Sequence, residues 1–276
     1  MNWILDLLTW ENILNSAFTT SLVGALAGAY AGAKAAQNIA ERSKEKEEFQ
    51  TQIRNTNAAI TFSFMICNAA IALKKQNTKH LIDSYFQAKS VYEEYLLTKK
   101  HGTTAKEVVF EYQANLSSLP VQEVPLIALQ KQVYENLSIT GRPLALVSTI
   151  TTMQSALNAA IVKRNEMIPE FQKLSLENRK GDFLALYFAT PYGEGHTNAQ
   201  YHDLMHAIRR LNDDVIFFSR LLSKDLEAYG NAIMEKYKSK FGDVIERIHP
   251  ARHEDMPGII PLDENYQDWF TAFPQQ

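Results

Sequence analysis

From Asn12 to Ala33 no side chain carries a charge, and apolar and small residues recur at helical spacing. Gly24, Gly28 and Gly32 stand four apart, which on an α-helix places them on one face, and Thr20, Ala36 and Ala40 extend the row. Ala17, Ser21, Ala25, Ala29 and Ala33 form a second small-residue row beside it. This is a glycine zipper with two adjoining faces for close backbone approach, the geometry of a ring in which each helix touches two copies of itself. The same residues would also suit a plain membrane anchor or a tightly packed soluble helix. At about 1.5 Å per residue the run spans roughly 30 Å, one hydrocarbon core. Its strong insertion formers are Ile13, Leu14, Phe18, Leu22, Val23 and Leu26. They supply only about −2 to −4 kcal/mol, so insertion is marginal and suits a helix that enters lipid conditionally.

Trp3 and Trp10 precede the run with only Asp6, Glu11 and the terminal amine as charges, and Lys34, Arg42, Lys44 and Lys46 follow it. Positive-inside asymmetry then predicts an N-out helix with the remaining chain in the cytoplasm. A cleaved signal is disfavoured because no basic segment opens the chain.

A second uncharged run, Asn55 to Leu73, is a rival span, but Asn55, Asn57 and Asn68 are costly in lipid. Its spacing favours a soluble core. Ile53, Asn57, Ile60, Phe64, Cys67 and Ile71 make one heptad seam, and Ala58, Phe62, Met65, Ala69 and Ala72 make another. Two seams predict a core helix of a bundle, with Asn57 setting register. From Lys34 to about Lys100 the sequence stays helix-compatible and lacks proline.

Gly102 to Pro125 reads as an extended connector with one short strand around Val108–Tyr112, followed by a short helix from Leu126 to Leu137. Gly141-Arg-Pro143 opens a long helix with the stripe Val147, Ile150, Leu157, Ile161, Ile168 and Phe171, limited by Pro169. After Pro191–Gly195, Thr197 or Asn198 caps a last long helix with the stripe Leu204, Ile208, Leu211, Val215, Phe218, Leu222, Tyr229, Ile233 and Tyr237. Beyond Gly242 lies a tail with four prolines and seven carboxylates. In it Tyr266, Trp269, Phe270 and Phe273 form one short apolar face, expected to dock on its own bundle or a neighbouring subunit. The expected fold is therefore all-α. Residues 1–36 form a membrane or pore region, 37–242 an elongated cytoplasmic helical bundle and 243–276 an acidic, aromatic tail, in a homo-oligomer.

Catalytic chemistry is hard to find. Gly28 to Lys34 imitates a phosphate loop, but Ala33 and Ala35 replace the required Gly and Ser/Thr. The single cysteine, Cys67, excludes an internal disulfide. His202 and His206 share a helix face near His196, Asp213 and Asp214, yet two histidines without a third ligand make no metal site. No enzyme, metal or cofactor is expected. A formal net charge of −3 argues against general polyanion binding. Locally, however, Lys74, Lys75, Lys79 and His80 form one basic group, and His202, His206, Arg209 and Arg210 beside Tyr192, His196 and Tyr201 form another. Interleaved aromatics and cations can hold a single strand by stacking and phosphate pairing, and subunit symmetry would multiply them.

An Ala/Gly membrane helix carrying Gly24, Gly28 and Gly32, joined to a cytoplasmic helical domain without catalytic residues, resembles the membrane effectors of bacterial anti-phage systems, and in plan is most similar to the Hailong-type effectors. The resemblance implies a gated channel in the inner membrane that depolarises the infected cell. It further implies a homotetramer held shut by an oligodeoxyadenylate, a single-stranded DNA made by a partner nucleotidyltransferase, and opened when phage nucleases destroy it. The competing expectation is a membrane-anchored scaffold that recruits another protein through the bundle or the aromatic tail.

Overall fold

The computed structural model describes residues 17–100, 110–177, 179–242, 245–252 and 256–274. Trp3, Trp10, Ile13, Leu14, Val108 and Val109 lie outside them. The fold is all-α, and among the described residues there is no strand, only an isolated bridge between Tyr192 and His196. The helices are α1 (Ala17–Leu73), α2 (Lys79–Lys100), α3 (Leu126–Glu135), α4 (Arg142–Leu176), α5 (Lys180–Phe188), α6 (Gln200–Phe241) and α7 (Gln267–Ala272). A π-helical turn, Lys74–Thr78, joins α1 to α2, and a 3-10 turn, Asp263–Tyr266, precedes α7. Contacts group the chain into two compact units, one of Met1–Thr51 with Lys236–Ile245 and one of Gln52–Glu235 with Glu246–Gln276.

In the larger unit α6 is the central helix. Its stripe residues Leu204, Ile208, Leu211, Val215, Phe218, Leu222 and Ile233 are buried, as the 3.6-residue period requires. The second half of α1 runs antiparallel to it. Ser63 Oγ donates to Ser219 O at 2.7 Å and Cys67 Sγ contacts Ile216 O at 3.7 Å, so small side chains let the two backbones approach. Burial pushes the Cys67 thiol up to about 12, which keeps it protonated and inert. The 55–73 run is a core helix, with Ile53, Thr56, Ile60, Ser63, Ile66, Cys67 and Leu73 buried. The second expected seam is shallower, because Met65 is 49% exposed. Asn57 does not set register in that core: its Nδ2 donates to Arg247 O at 3.0 Å and its Oδ1 accepts from His249 N–H at 2.9 Å. Both amide ends thus grip the tail.

α4 also lies antiparallel to α6, joined at one end by Arg142 with Asp225 and at the other by Arg164 Nη2 with Tyr201 Oη at 3.3 Å. Pro169 does not limit α4, which continues to Leu176. Phe171, two residues past the proline, packs edge-on against Phe183, Tyr187 and Tyr201 with ring centroids 5.7, 5.5 and 5.0 Å away. That anchorage offsets the hydrogen bond and ring clash that proline costs a helix.

The connector from residue 110 to 125 is extended but pairs with no strand. Asn165 accepts from Leu119 N–H at 2.9 Å and donates to Leu119 O at 2.8 Å. Asn158, seven residues earlier on the same face of α4, does the same for Gln122 at 3.1 and 2.9 Å. Two side-chain amides therefore take the place of a ladder and satisfy the connector's backbone. The tail docks on its own bundle. The Tyr266 ring lies flat on Phe217, centroids 3.7 Å apart, Trp269 meets Phe218 at 5.2 Å, and the Tyr266 hydroxyl donates to Asp214 at 3.1 Å.

Candidate functional site

Two surfaces carry the residues singled out by the pattern, one in each unit. In the smaller unit, residues 20–44 of α1 are all exposed. This includes Thr20, Gly24, Gly28, Gly32 and Ala36, and also Leu22, Val23, Leu26 and Tyr30, the last 71% open. A Cβ placed at Gly24, Gly28 or Gly32 would meet nothing within 4 Å. From residue 20 onward every described position of the apolar run is therefore exposed, an arrangement costly in water and natural in lipid or against other copies.

The exposure ends at an aromatic clasp. Phe49 packs edge-on against Tyr237 and Phe241 at 5.9 and 6.0 Å. Arg42, Lys46 and Lys240 converge on the Phe241 ring at 5.7, 5.4 and 5.9 Å, and Lys240 also pairs with Glu45. The result is a cationic collar around an apolar phenylalanine ring, with the Tyr237 ring 5.0 Å beside it. The flanking positive charges on α1 were legible; the share of α6 in the collar was not. The only signal for it was the four-residue spacing of Tyr237 and Phe241 on an otherwise polar helix end. Two described helical stretches are long and apolar enough to cross a membrane, Thr19–Lys100 and α4, but the apolar window of the first is half buried and so belongs to the 55–73 core segment rather than to the exposed run, and the stripe of α4 lines the core.

In the larger unit the basic residues at the start of α2 meet those of α6. The Phe86 ring lies 4.3 Å from that of His206 and 5.7 Å from that of His202, and the Arg209 guanidinium stands 5.9 Å over Phe86. Tyr85 donates its hydroxyl proton to Tyr187 O at 3.0 Å, so its oxygen accepts from His202 Nδ1–H at 3.1 Å. That assigns the tautomer and leaves Nε2 as the His202 acceptor. Burial, then the charges of Lys89 and His206, hold the His202 imidazole below its ordinary pKa.

Not all seven proposed ligand residues share this face. Tyr201 is fully buried, stacked on Tyr187 at 4.7 Å, and belongs to the aromatic core rather than to a binding surface. Tyr192 and His196 pair with each other across the 192–196 turn, Tyr192 N–H donating to His196 O at 2.9 Å. His202, His206 and Arg209 gather around Phe86, a residue the pattern did not single out, and Arg210 is exposed. Three of the cations here have carboxylate partners. Arg209 lies 3.5 Å from Asp83, Lys79 donates to Asp83 at 2.7 Å, and Lys74 donates to Asp213 at 2.6 Å and to Ile259 O at 2.7 Å. A polyanion would have to displace these carboxylates, which weakens the strand-binding surface that spacing suggested. Beside them a cleft of about 70 Å³ is lined by Thr78 and by Asn212, whose buried Oδ1 has no partner. Among the described residues, no group of three or more His, Cys, Asp or Glu could hold a metal ion. No protein-family model, curated protein or solved structure matches the chain.

Proposed function

We propose that this protein is a membrane effector whose α1 inserts and self-associates through Gly24, Gly28 and Gly32 to form a gated channel that depolarises the cell, in the manner of bacterial anti-phage effectors. One observation carries the reading: residues 20–44 are exposed throughout, and the zipper glycines face open space. Such a helix completes its packing only in lipid or against copies of itself. The cations that follow the run, Lys34, Arg42, Lys44 and Lys46, with Lys240 brought beside them at Phe241, support an N-out orientation. The scaffold alternative has less support, because the tail aromatics that would recruit a partner already cover Phe217 and Phe218 of their own bundle.

The test is dye release from anionic liposomes together with oligomer size in detergent, for the natural chain and Gly28→Leu. A Cβ at residue 28 meets no described atom within 4 Å and leucine favours insertion, so a loss of release points to helix association. Release is expected to fall about tenfold, the factor produced by about 1.4 kcal/mol of lost contact, while the protein stays with the vesicles. Unchanged release with an unchanged oligomer would reduce α1 to an anchor.

A further inference from the structure

Where the N-terminus of α4 meets the last third of α6 in the larger unit, a cleft of about 320 Å³ opens, within the size range of small-ligand pockets. Arg142 and Asp225 line it, with side chains only 8% and 6% exposed. Arg142 Nε donates to Asp225 Oδ2 at 2.7 Å, and Nη2 donates to Oδ1. The pair is planar, bidentate and fixed. It is also incomplete, since two of the guanidinium's N–H bonds are used and each carboxylate oxygen keeps a further lone pair. Donors and acceptors therefore stand side by side in the wall of the cleft.

The other walls are apolar or neutral. Ile139, Pro143, Ala228 and Ala232 line it with the ring of Tyr229, whose hydroxyl is occupied in donating to Gln52 Oε1 at 2.9 Å. Ser138 and Thr140 add hydroxyls at the exposed edge. No lysine is among the lining residues, and the one arginine is neutralised by its aspartate, so the formal charge of the cleft is zero. An anion would gain nothing here and would be repelled by Asp225. A small hydrocarbon would strand the exposed edge of the pair. The complement is an uncharged ring with adjacent hydroxyls, each giving and taking one hydrogen bond, and a C–H face to lie on tyrosine.

We propose that this cleft is a binding site for a vicinal diol on an uncharged sugar ring, recognised by the Arg142–Asp225 pair and the Tyr229 ring. The ring could belong to a free monosaccharide or to the ribose of a nucleoside, and the site does not depend on the membrane reading. The test is saturation-transfer NMR and calorimetry on the full chain in a non-glycosidic detergent, because a sugar-headed detergent would compete. One arm uses glucose, galactose, mannose and ribose; the other uses adenosine and cytidine. Binding in either arm at about millimolar affinity or tighter, unchanged when sodium chloride is raised, is the expected result and names the source. The 2′-deoxynucleoside, or the methyl 3-deoxyglucoside measured against methyl glucoside, keeps no vicinal ring diol and should bind at least about tenfold more weakly, since it leaves a polar partner unpaired. Ala228→Trp, at an exposed lining position, should abolish binding while the melting temperature stays within a few degrees. Absence of binding in both arms, equal affinity for the deoxy analogue, or full binding by Ala228→Trp would each overturn the assignment.

Discussion

Single side chains set the stakes in the larger unit. Arg142 and Asp225 are buried together, so removing one leaves the other charged and unsolvated; Asp225→Ala should cost about 3–5 kcal/mol in denaturant unfolding. Arg142→Met combined with Asp225→Leu should cost clearly less than that single change, because the double variant strands no charge. His202 gives a pH signature. Its folded pKa lies below the ordinary value, so between the two the unfolded chain binds the extra proton. Its contribution is intact above about pH 6.5 and is lost as pH falls through the unfolded and then the folded pKa. His202→Gln should therefore flatten the acid limb of a stability–pH profile below about pH 6.5, and an unchanged limb would assign it to other groups.

At the scale of elements, the tail is held as a strap at several places. Among these are Asn57 on the 247–249 backbone, Lys74 on Ile259 O, Tyr266 on Phe217, and Ile248 against Gly230. The last is the tightest, for a Cβ at residue 230 would come within 2.3 Å of Ile248 Cδ1 and 3.0 Å of Thr56 Cγ2. Gly230→Ala should lift Ile248 from its seat at a cost of about 1–3 kcal/mol and speed proteolysis within residues 245–252, whereas Gly28→Ala should be silent in the same assay. The C-terminus of α5 is a smaller case. Ala189 adopts φ 55°, a conformation that costs an L-residue about 1–2 kcal/mol, so Ala189→Gly should raise the melting temperature slightly.

For the molecule as a whole, the exposed apolar run makes accessibility depend on the surroundings. Chymotrypsin should cut at Leu22, Leu26 and Tyr30 in lipid-free buffer, and anionic liposomes should protect those bonds while leaving the tail sites unchanged. Cleavage at equal rates with and without vesicles would remove the membrane reading. Single-strand binding is a separate matter, since Arg209, Lys79 and Lys74 all have carboxylate partners. If a strand does dock, replacing both Arg209 and Arg210 by Gln should lower the log–log salt slope by about 1.4, the share of two phosphate contacts.

Helical class, the long stripes of α4 and α6 and the bare glycine row were all legible in the sequence, because each rests on local periodicity: residues three and four apart share a face in any helix. The stripe positions from Val147 to Phe171 and from Leu204 to Tyr237 needed no partner to be recognised. What the tertiary structure decided is every feature that depends on residues far apart in the chain. Pro169 stays inside α4 because Phe171 is anchored by rings from α5 and α6. The connector needs no strand because Asn158 and Asn165 satisfy its backbone. Tyr201 leaves the candidate surface because Tyr187 and Arg164 enclose it, and Asn57 serves the tail rather than the core. The Arg142–Asp225 pair is separated by 83 residues, so no spacing rule could bring it together. Periodicity determines which face of a helix is apolar, and only packing determines what that face, and each polar residue beside it, comes to meet.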